Sequence, residues 1–284
     1  MEVNCGQCLG CRLDYSHMWA MRIVHESSLH ESGNGNSFVT LTYSDDHIPD
    51  DWSLHVEDFQ KFMKRLRKRS EDRVRFFHVG EYGDRCRHGV SVSECDGCSV
   101  GRPHYHAILF NRRFDDAKLF SRREDIELYS SQELEDTWQK GFCTVGEVTM
   151  QSAGYVARYC LKKVTGSLSD EWYRNTDEDG VVHQVKREYA TMSRRPGIGR
   201  EWFEKFKADC FPSDEVPVPG HGVVAKVPRY YADVYGVECP DELEAIKLER
   251  QAFRDAHLEE YSPERLASKY KVKKAQVALL KREL

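Results

Sequence analysis

His104–Phe110, with the sequence HYHAILF, is the stretch on which the predicted fold depends. It is rich in aromatic and aliphatic residues, which favours a strand whose side chains alternate between the two faces of a sheet. Ser37–Tyr43 (SFVTLTY) and Val74–Gly80 (VRFFHVG) predict two further strands of the same kind. In such a strand His104 and His106 lie on one face, about 7 Å apart along the chain.

Helical periodicity appears between these strands. Trp52–Arg69 carries apolar residues at helical spacing and ends in a basic run, and Ser131–Gln139 predicts a short polar helix. Phe142–Met150 predicts a fourth strand, and Ser152 is a suitable N-cap for a helix that continues to residue 163. The order of elements indicates an α+β core with a mainly antiparallel sheet and helices on one side.

Length and composition limit the classes of protein that this chain can represent. The 284 residues are 40% hydrophobic and 31% charged, which excludes a disordered or fibrous protein. We expect a core over residues 1–210, then a linker and a charged helical C-terminal extension over 211–284. The net charge of −5 argues against coating of nucleic acid by bulk charge, although it permits a local basic groove. Neither a membrane helix nor a signal peptide is expected.

A carboxylate follows the second predicted strand and is close enough in sequence to join the two histidines. If the strands carrying Glu81 and His104 are antiparallel neighbours, the three side chains meet on one face. Two imidazoles and one carboxylate leave positions for water and a phosphate oxygen, which suits Mg²⁺ or Mn²⁺. The alternative is a solvated sheet face with no ion. A histidine-triad hydrolase is excluded because its third histidine would occupy the position of Ile108.

The segment AGYVARYCLKK (153–163) carries two tyrosines on one face of a predicted helix. Tyr155 and Tyr159 are four residues apart, and Lys162 follows about one turn later. A tyrosine hydroxyl can attack a phosphodiester to give a covalent intermediate, and a nearby cation can neutralise developing charge. Packing of the same residues in an apolar core is the alternative interpretation.

Two groups of cysteines have the spacing of zinc ligands. The first group consists of Cys5, Cys8 and Cys11, and the second of Cys86, His88, Cys95 and Cys98. Only the second supplies the four ligands of a tetrahedral zinc site, whereas the first needs a ligand from elsewhere. Reduced thiols without metal are the alternative for both groups.

Basic residues in two places are candidates for contacts with DNA phosphates. They are Lys64, Arg65, Arg67, Lys68 and Arg69 in the first predicted helix, and Arg194 and Arg195 near the sequence PGIG. A solvated helix face is the alternative. Tyr82 and Tyr105 are candidates for stacking on unpaired bases. The C-terminal stretch favours one charged helix over a helix-turn-helix.

In this order, the motifs resemble those of the replication initiators of the HUH endonuclease superfamily, and they are closer still to the initiators of gokushovirus-type microviruses. The resemblance covers roughly residues 1–235. It rests on CGQCLGC (5–11), FVTLTY (38–43), FMKRLRKR (62–69), GEYG (80–83), GRPHYHAILF (101–110), SAGYVARYCLKK (152–163) and MSRRPGIG (192–199). The cysteine-rich loop 84–100 looks like an insertion relative to that pattern.

The resemblance implies an RRM-like antiparallel sheet that carries an HUH metal site, with the nucleophile helix beside it. It implies metal ligation by Glu81, His104 and His106. It assigns the role of nucleophile to Tyr155 and Tyr159, and that of phosphate-facing cation to Lys162. The implied activity is rolling-circle initiation, in which the enzyme nicks origin DNA and stays joined to the 5′ phosphate through tyrosine.

The implied partners are single-stranded origin DNA and duplex replicative-form DNA, together with a host helicase and polymerase in the bacterial cytoplasm. Strand rejoining would release circular single-stranded DNA. Two other classes stay open. One is a relaxase or transposase of the same superfamily, and the other is a non-catalytic RRM-like nucleic-acid-binding protein.

Overall fold

The structure is a computed structural model that describes residues 5–123, 126–162, 169–224 and 226–279, with the side chains of residues 159–162, 171 and 224 outside the description. Its helices and strands are, in chain order, α1 (Leu9–Ser28), β1 (Asn36–Thr42), α2 (Val56–Arg69), β2 (Arg75–Tyr82), β3 (Pro103–Phe110), β4 (Lys118–Arg123), β5 (Ile126–Ser130), α3 (Gln132–Trp138), β6 (Cys143–Gly146), α4 (Met150–Lys162), α5 (Ser169–Trp172), β7 (Arg174–Thr176), β8 (Val182–Gln184), β9 (Tyr189–Met192), α6 (Arg200–Cys210), β10 (Val216–Val218), β11 (Gly222–Val224), α7 (Arg229–Glu238), α8 (Pro240–Ala256) and α9 (Pro263–Ala278).

A seven-stranded sheet forms the centre of the described chain. Its strand order is β4-β5-β6-β1-β3-β2-β9, and the neighbouring strands pair antiparallel. The hairpins β7-β8 and β10-β11 form two separate small sheets. The expected α+β class with an antiparallel sheet is therefore confirmed, and the strands that carry the histidines and the carboxylate are neighbours at its centre.

Helices cover both faces of the central sheet, so the expectation of helices on one side is wrong. On one face, Phe59 and Phe62 of α2 pack with Leu109 of β3 in a core that also contains residues of α3. On the other face, Ile23 of α1 and Val156 of α4 belong to a second core with residues of β1, β2 and β3. Strand side chains alternate, and both sets of alternate positions in β3 are apolar enough to require a covering layer.

Helix α1 was not anticipated from the sequence, and it lies between two cores. Ile23 packs toward the sheet, whereas Met21 belongs to a third core built with α6, α7 and α8. Buried Glu26 forms an ion pair with Arg75 at the start of β2, and it accepts a hydrogen bond from the backbone N–H of Gly199. The helix therefore joins the sheet to the C-terminal part of the chain.

The C-terminal part is more ordered than its composition indicated. The stretch interpreted as a linker contains the hairpin β10-β11, and Val216 and Val218 are buried in the third core. The charged tail forms α8 and α9, and α9 is a single helix with no buried residue, in agreement with one charged helix over the described residues. The proposed division at residue 210 stays a prediction. Within the described residues, no helix combines the length and apolar character needed to cross a bilayer.

His25 is a neutral buried histidine that ties α1 to the third core. A backbone carbonyl can only accept, so Nε2–H donates to Pro217 O at 3.0 Å. Nδ1 then accepts from the Tyr231 hydroxyl at 2.9 Å, and the ring stacks on Trp202 with centroids 3.6 Å apart. Burial lowers the pKa of His25 to about 4, although the hydrogen bond to Pro217 opposes this shift.

We predict that acid destabilises the protein through His25. The unfolded imidazole takes up a proton near pH 6.5, whereas the folded environment delays protonation to about pH 4. The unfolded state therefore binds more protons in this window, and the free energy of unfolding falls as the pH falls through it. The effect should reach about 3 kcal/mol and should be absent above pH 6.5. Urea denaturation between pH 4 and pH 8 measures it.

The matched variants are His25→Gln and His257→Gln. Glutamine keeps one donor and one acceptor but does not titrate, so His25→Gln should remove this part of the pH dependence. His257→Gln alters a partly exposed residue of the C-terminal tail and should keep it. Equal pH dependence in His25→Gln and the wild-type protein would contradict the assignment.

Candidate active site

The register of β2 and β3 brings the three predicted metal ligands together. Glu81 pairs directly with His104, and His106 lies two residues further along β3 on the same face. Oε1 of Glu81 is 2.7 Å from Nε2 of His104 and 3.1 Å from Nε2 of His106. One donor atom from each residue lies within 4.8 Å of the other two. The sequence-based expectation of a cluster on one sheet face therefore agrees with the geometry.

The carboxylate of this cluster is buried and charged. Glu81 is only 2% exposed, and burial alone would raise the pKa of its carboxyl group. The charges and hydrogen bonds of His104 and His106 outweigh burial and lower that pKa to about 2. An ionised carboxylate between two imidazoles is a donor set that fits a divalent cation.

Two further groups orient the histidine rings, and the sequence analysis did not find them. Nδ1 of His106 is 2.9 Å from the hydroxyl of Thr40, and Nδ1 of His104 is 3.2 Å from the carbonyl oxygen of Arg102. The carbonyl can only accept, so Nδ1 of His104 carries a proton. In neutral His104, Nε2 would then have no proton and could bind a metal ion, as is usual for metal-bound histidine. Thr40 could have been found from its alternation with Thr42 in β1, but a backbone carbonyl leaves no signal in the sequence.

Helix α4 packs against the same face of the sheet as the cluster. Thr149 and Ser152 exchange hydrogen bonds between their backbone N–H groups and hydroxyls, so the cap lies at Thr149 and not at Ser152. Tyr155, which is 7% exposed, places its ring edge-on to His106 with centroids 5.4 Å apart. The first predicted nucleophile thus lies beside the cluster.

The other two predicted residues of this helix are only partly described. Positions 159 and 162 belong to α4, but the side chains of Tyr159 and Lys162 lie outside the described residues. Helical geometry puts residue 159 on the same side of α4 as Tyr155, one turn further along. Their roles stay predictions.

The two cysteine groups differ in completeness. Cys5, Cys8 and Cys11 lie at the start of α1, with the sulfur of Cys11 at 3.4 Å from that of Cys8 and 3.9 Å from that of Cys5. The group at residues 86–98 joins three thiols and one imidazole within 4.8 Å of one another. The structure therefore assembles four potential ligands in the second group and three in the first, within the part of the chain it describes.

The basic run of α2 lies across the sheet from the cluster. Arg65 donates to the carbonyls of the last two residues of α3, Arg67 to the carbonyl that precedes β2, and Arg69 to a hydroxyl of α3. Lys64 and Lys68 are exposed. Helix α2 packs on the opposite sheet face from Glu81, so the structure does not bring this run to the candidate metal site. Its contact with DNA stays a prediction.

Arg194 and Arg195 are also distant from the cluster. They are exposed and follow β9, next to the start of β2, whereas Glu81 lies near the end of β2. The intervening length of strand corresponds to about 20 Å. These arginines could contact only DNA that extends well beyond the cluster.

The two tyrosines proposed for base stacking are buried, so that expectation is wrong. Tyr105 is 0% and Tyr82 7% exposed. Tyr105 points to the opposite face from its neighbouring histidines, where its hydroxyl lies 2.8 Å from that of Tyr43 and donates to the carbonyl of His55. Strand alternation explains the difference, because a residue between two site residues faces away from the site.

Comparison with known proteins adds independent evidence. A family model described as that of the replication-associated protein ORF2 matches residues 36–164. Replication-associated protein VP4 of Bdellovibrio phage phiMH2K is 33% identical over 246 residues, which cover 84% of this chain and 68% of that protein. Replication-associated protein ORF2 of Spiroplasma virus 4 is 32% identical over 266 residues, covering 88% and 73%. No solved structure shows significant similarity.

We predict that the cluster binds Mn²⁺ and that each ligand is required. Glu81→Gln and His104→Ala should each lower the affinity for Mn²⁺ by at least about tenfold, because two remaining donors hold an ion weakly. Thr40→Val should have a smaller effect in the same direction, since it frees the His106 ring to rotate. Calorimetric titration with Mn²⁺ measures these affinities.

Two residues outside the cluster provide the controls for this titration. Glu57→Gln changes an exposed carboxylate and His257→Ala a partly exposed imidazole, and both variants should bind Mn²⁺ like the wild-type protein. Circular dichroism should show that all variants are folded. Unchanged Mn²⁺ affinity in Glu81→Gln would remove the carboxylate from the ligand set.

Proposed function

This chain belongs to the family of phage replication-associated proteins of the ORF2 type, and we propose that it is a rolling-circle replication initiator with an HUH endonuclease core. Its proposed reaction is metal-dependent, sequence-specific nicking of origin DNA through a 5′-phosphotyrosine intermediate. Strand rejoining then releases circular single-stranded DNA. The observation that carries the proposal is the convergence of Glu81, His104 and His106 beside Tyr155 on one sheet face.

The donor set supports Mg²⁺ or Mn²⁺ as the catalytic ion. Glu81 would supply an oxygen, and His104 and His106 would supply the two Nε2 atoms. Such an ion polarises a phosphate oxygen and lowers the cost of negative charge on the phosphate. Thr40 and the Arg102 carbonyl hold the two rings, so little reorganisation of the ligands is needed. Zinc, with a structural role, is a second proposed cofactor.

The proposed reaction exchanges one ester bond for another. The phenolic oxygen of a tyrosine attacks the phosphorus at the nick site, and the bond from phosphorus to the 3′ oxygen breaks. The tyrosine loses its proton and the 3′ oxygen gains one, which leaves a phosphotyrosine on the 5′ side and a free 3′ hydroxyl. Reversal with another strand's 3′ hydroxyl rejoins the DNA.

Two tyrosines on one helix would allow successive transfers at a single metal site. Tyr155 lies beside His106, and residue 159 is one turn further along the same side of α4. While one tyrosine carries DNA, the other is free to attack the next junction. Lys162 is proposed as the cation that neutralises charge on the phosphate or leaving oxygen.

The proposed partners follow from this role. The chain would act on single-stranded origin DNA and duplex replicative-form DNA in the cytoplasm of the bacterial host. The free 3′ hydroxyl would serve a host polymerase, and a host helicase would separate the strands. Lys64, Lys68, Arg194 and Arg195 are proposed to contact DNA phosphates away from the nick, in keeping with their exposure.

We predict that the two tyrosines are jointly essential and individually replaceable for the first nick. Tyr155→Phe or Tyr159→Phe removes one attacking oxygen and should still give an adduct, but repeated strand transfer should fail. The double variant should give no adduct and should still bind DNA. The assay incubates the full chain with Mn²⁺ and single-stranded fragments tiling its own genome, followed by denaturing electrophoresis and mass spectrometry of the adduct.

Tyr189→Phe is the matched control. The Tyr189 hydroxyl is buried and has no hydrogen-bond partner among the described residues, so its removal should change neither adduct yield nor stability by much. Adduct formation by the double variant would show that another residue attacks. Absence of any adduct from the wild-type protein, with binding intact, would favour a non-catalytic nucleic-acid-binding protein. If Tyr155→Phe completes repeated rounds normally, Tyr155 is a packing residue.

A further inference from the structure

The loop between β2 and β3 assembles a closed set of soft ligands that the proposed nicking reaction does not use. It consists of Cys86, His88, Cys95 and Cys98. Nδ1 of His88 lies 3.3 Å from the sulfur of Cys95, 3.6 Å from that of Cys98 and 3.9 Å from that of Cys86. All four donor atoms are within 4.8 Å of one another. Cys86 and Cys98 are buried.

These separations match the edges of a tetrahedron around one zinc ion. Zn–S bonds of about 2.3 Å and Zn–N bonds of about 2.0–2.1 Å place nitrogen and sulfur about 3.6 Å apart at tetrahedral angles. The three observed distances from His88 lie on both sides of that value. Four protein ligands leave no position open for water or substrate, which is the pattern of a structural zinc site and not of a catalytic one.

One side of this ligand set is continuous with the strands that carry the catalytic cluster. The backbone N–H of Gly83 donates to Arg102 O at 2.9 Å, and the N–H of Arg102 donates to Arg85 O at 2.8 Å. The pairing of β2 with β3 therefore continues past the cluster into the cysteine loop. The same Arg102 carbonyl lies 3.2 Å from Nδ1 of His104.

The other side of the ligand set holds the chain segment that follows the nucleophile helix. The N–H of Ser99 donates to Arg174 O at 3.0 Å, and the N–H of Thr176 donates to Gly97 O at 2.9 Å. Cys98 also pairs with Asn175 as an isolated bridge. Strand β7 is thus held directly against the residues around Cys98.

We infer that Zn²⁺ bound by Cys86, His88, Cys95 and Cys98 is a structural clip. It fixes β7, and with it the segment that leaves α4, to the extended β2-β3 pair that carries Glu81 and His104. The zinc site stands on its own geometry, whereas its value for positioning the tyrosine helix rests on the proposed function. A short loop could join β2 to β3, so the longer loop is explained by the contact with β7.

The cysteines at the N-terminus do not meet the same criterion. Cys5, Cys8 and Cys11 provide three thiols, and no fourth metal-binding side chain joins them within the described residues. They are exposed or half-buried, unlike Cys86 and Cys98. We therefore expect only the loop site to hold zinc tightly enough to survive purification.

Metal content tests the site directly. The full chain, purified without chelator, should contain about one zinc ion, and Cys98→Ser should lose it. Cys239→Ser and the triple serine variant of Cys5, Cys8 and Cys11 should keep it. If Cys98→Ser does not fold, Co²⁺ substitution of the wild-type protein replaces it as the test, since a tetrahedral thiolate site gives an intense visible spectrum. Zinc-free wild-type protein, or zinc retained in folded Cys98→Ser, would overturn the site.

Hydrogen exchange tests the clip. Removal of zinc should speed exchange of the Ser99, Arg102 and Thr176 amides by at least about tenfold, because their hydrogen bonds join the loop to β3 and β7. Amides of β1, which the ligand loop does not hold, should keep their protection. Unchanged exchange at all three amides would overturn the clip. These readouts need no DNA, so they remain decisive even if nicking is not observed.

The link to catalysis has its own readout. Zinc-stripped protein supplied with Mn²⁺ should form adduct at least about tenfold more slowly, and added Zn²⁺ should restore the rate. Equal rates with and without zinc, in protein that forms adduct, would overturn the positioning role and leave the site purely structural.

Discussion

The antiparallel register of β1, β3 and β2 is the constraint on which the candidate site depends. Thr42 pairs with His104 and His104 with Glu81, while Thr40 pairs with His106. A shift of one residue between β2 and β3 would turn Glu81 to the opposite face and leave a carboxylate in an apolar core. The apolar residues on both faces of β3 therefore fix the same register that assembles the cluster.

The residue between the two histidines contributes to this constraint from the other face. The Tyr105 hydroxyl accepts from the backbone N–H of His55 at 2.9 Å and lies 2.8 Å from the hydroxyl of Tyr43, which in turn donates to Asp58. The centre of β3 is thus held by hydrogen bonds on one face while its histidines form the site on the other. A site built on a central strand with both faces packed is better suited to fixed ligand geometry than one built on a loop.

The sequence predicted the parts of this arrangement that have a clear period. Strands β1, β2 and β3 and helices α2 and α4 could be found because each buries one regular set of side chains. Helix α1 could not, because Ile23 and Met21 face different cores and its buried set includes Ser16, His25 and Glu26. The edge hairpin β4-β5 also lacked a signal, since none of its described residues is fully buried. Glu81, His104 and His106 could be grouped from strand alternation, whereas the role of the Arg102 carbonyl depends on backbone geometry alone.

The position of α1 has a consequence for how this chain unfolds. One helix supplies side chains to the core beneath the metal cluster and to the core of α6, α7 and α8, and Glu26 bonds to both sides of this boundary. Separation of the two cores would expose apolar surface of α1 and leave a buried carboxylate without its partners. The sheet and the helical region should therefore melt as one cooperative unit, and damage at the distant helices should be felt at the cluster as a loss of occupancy of the native state.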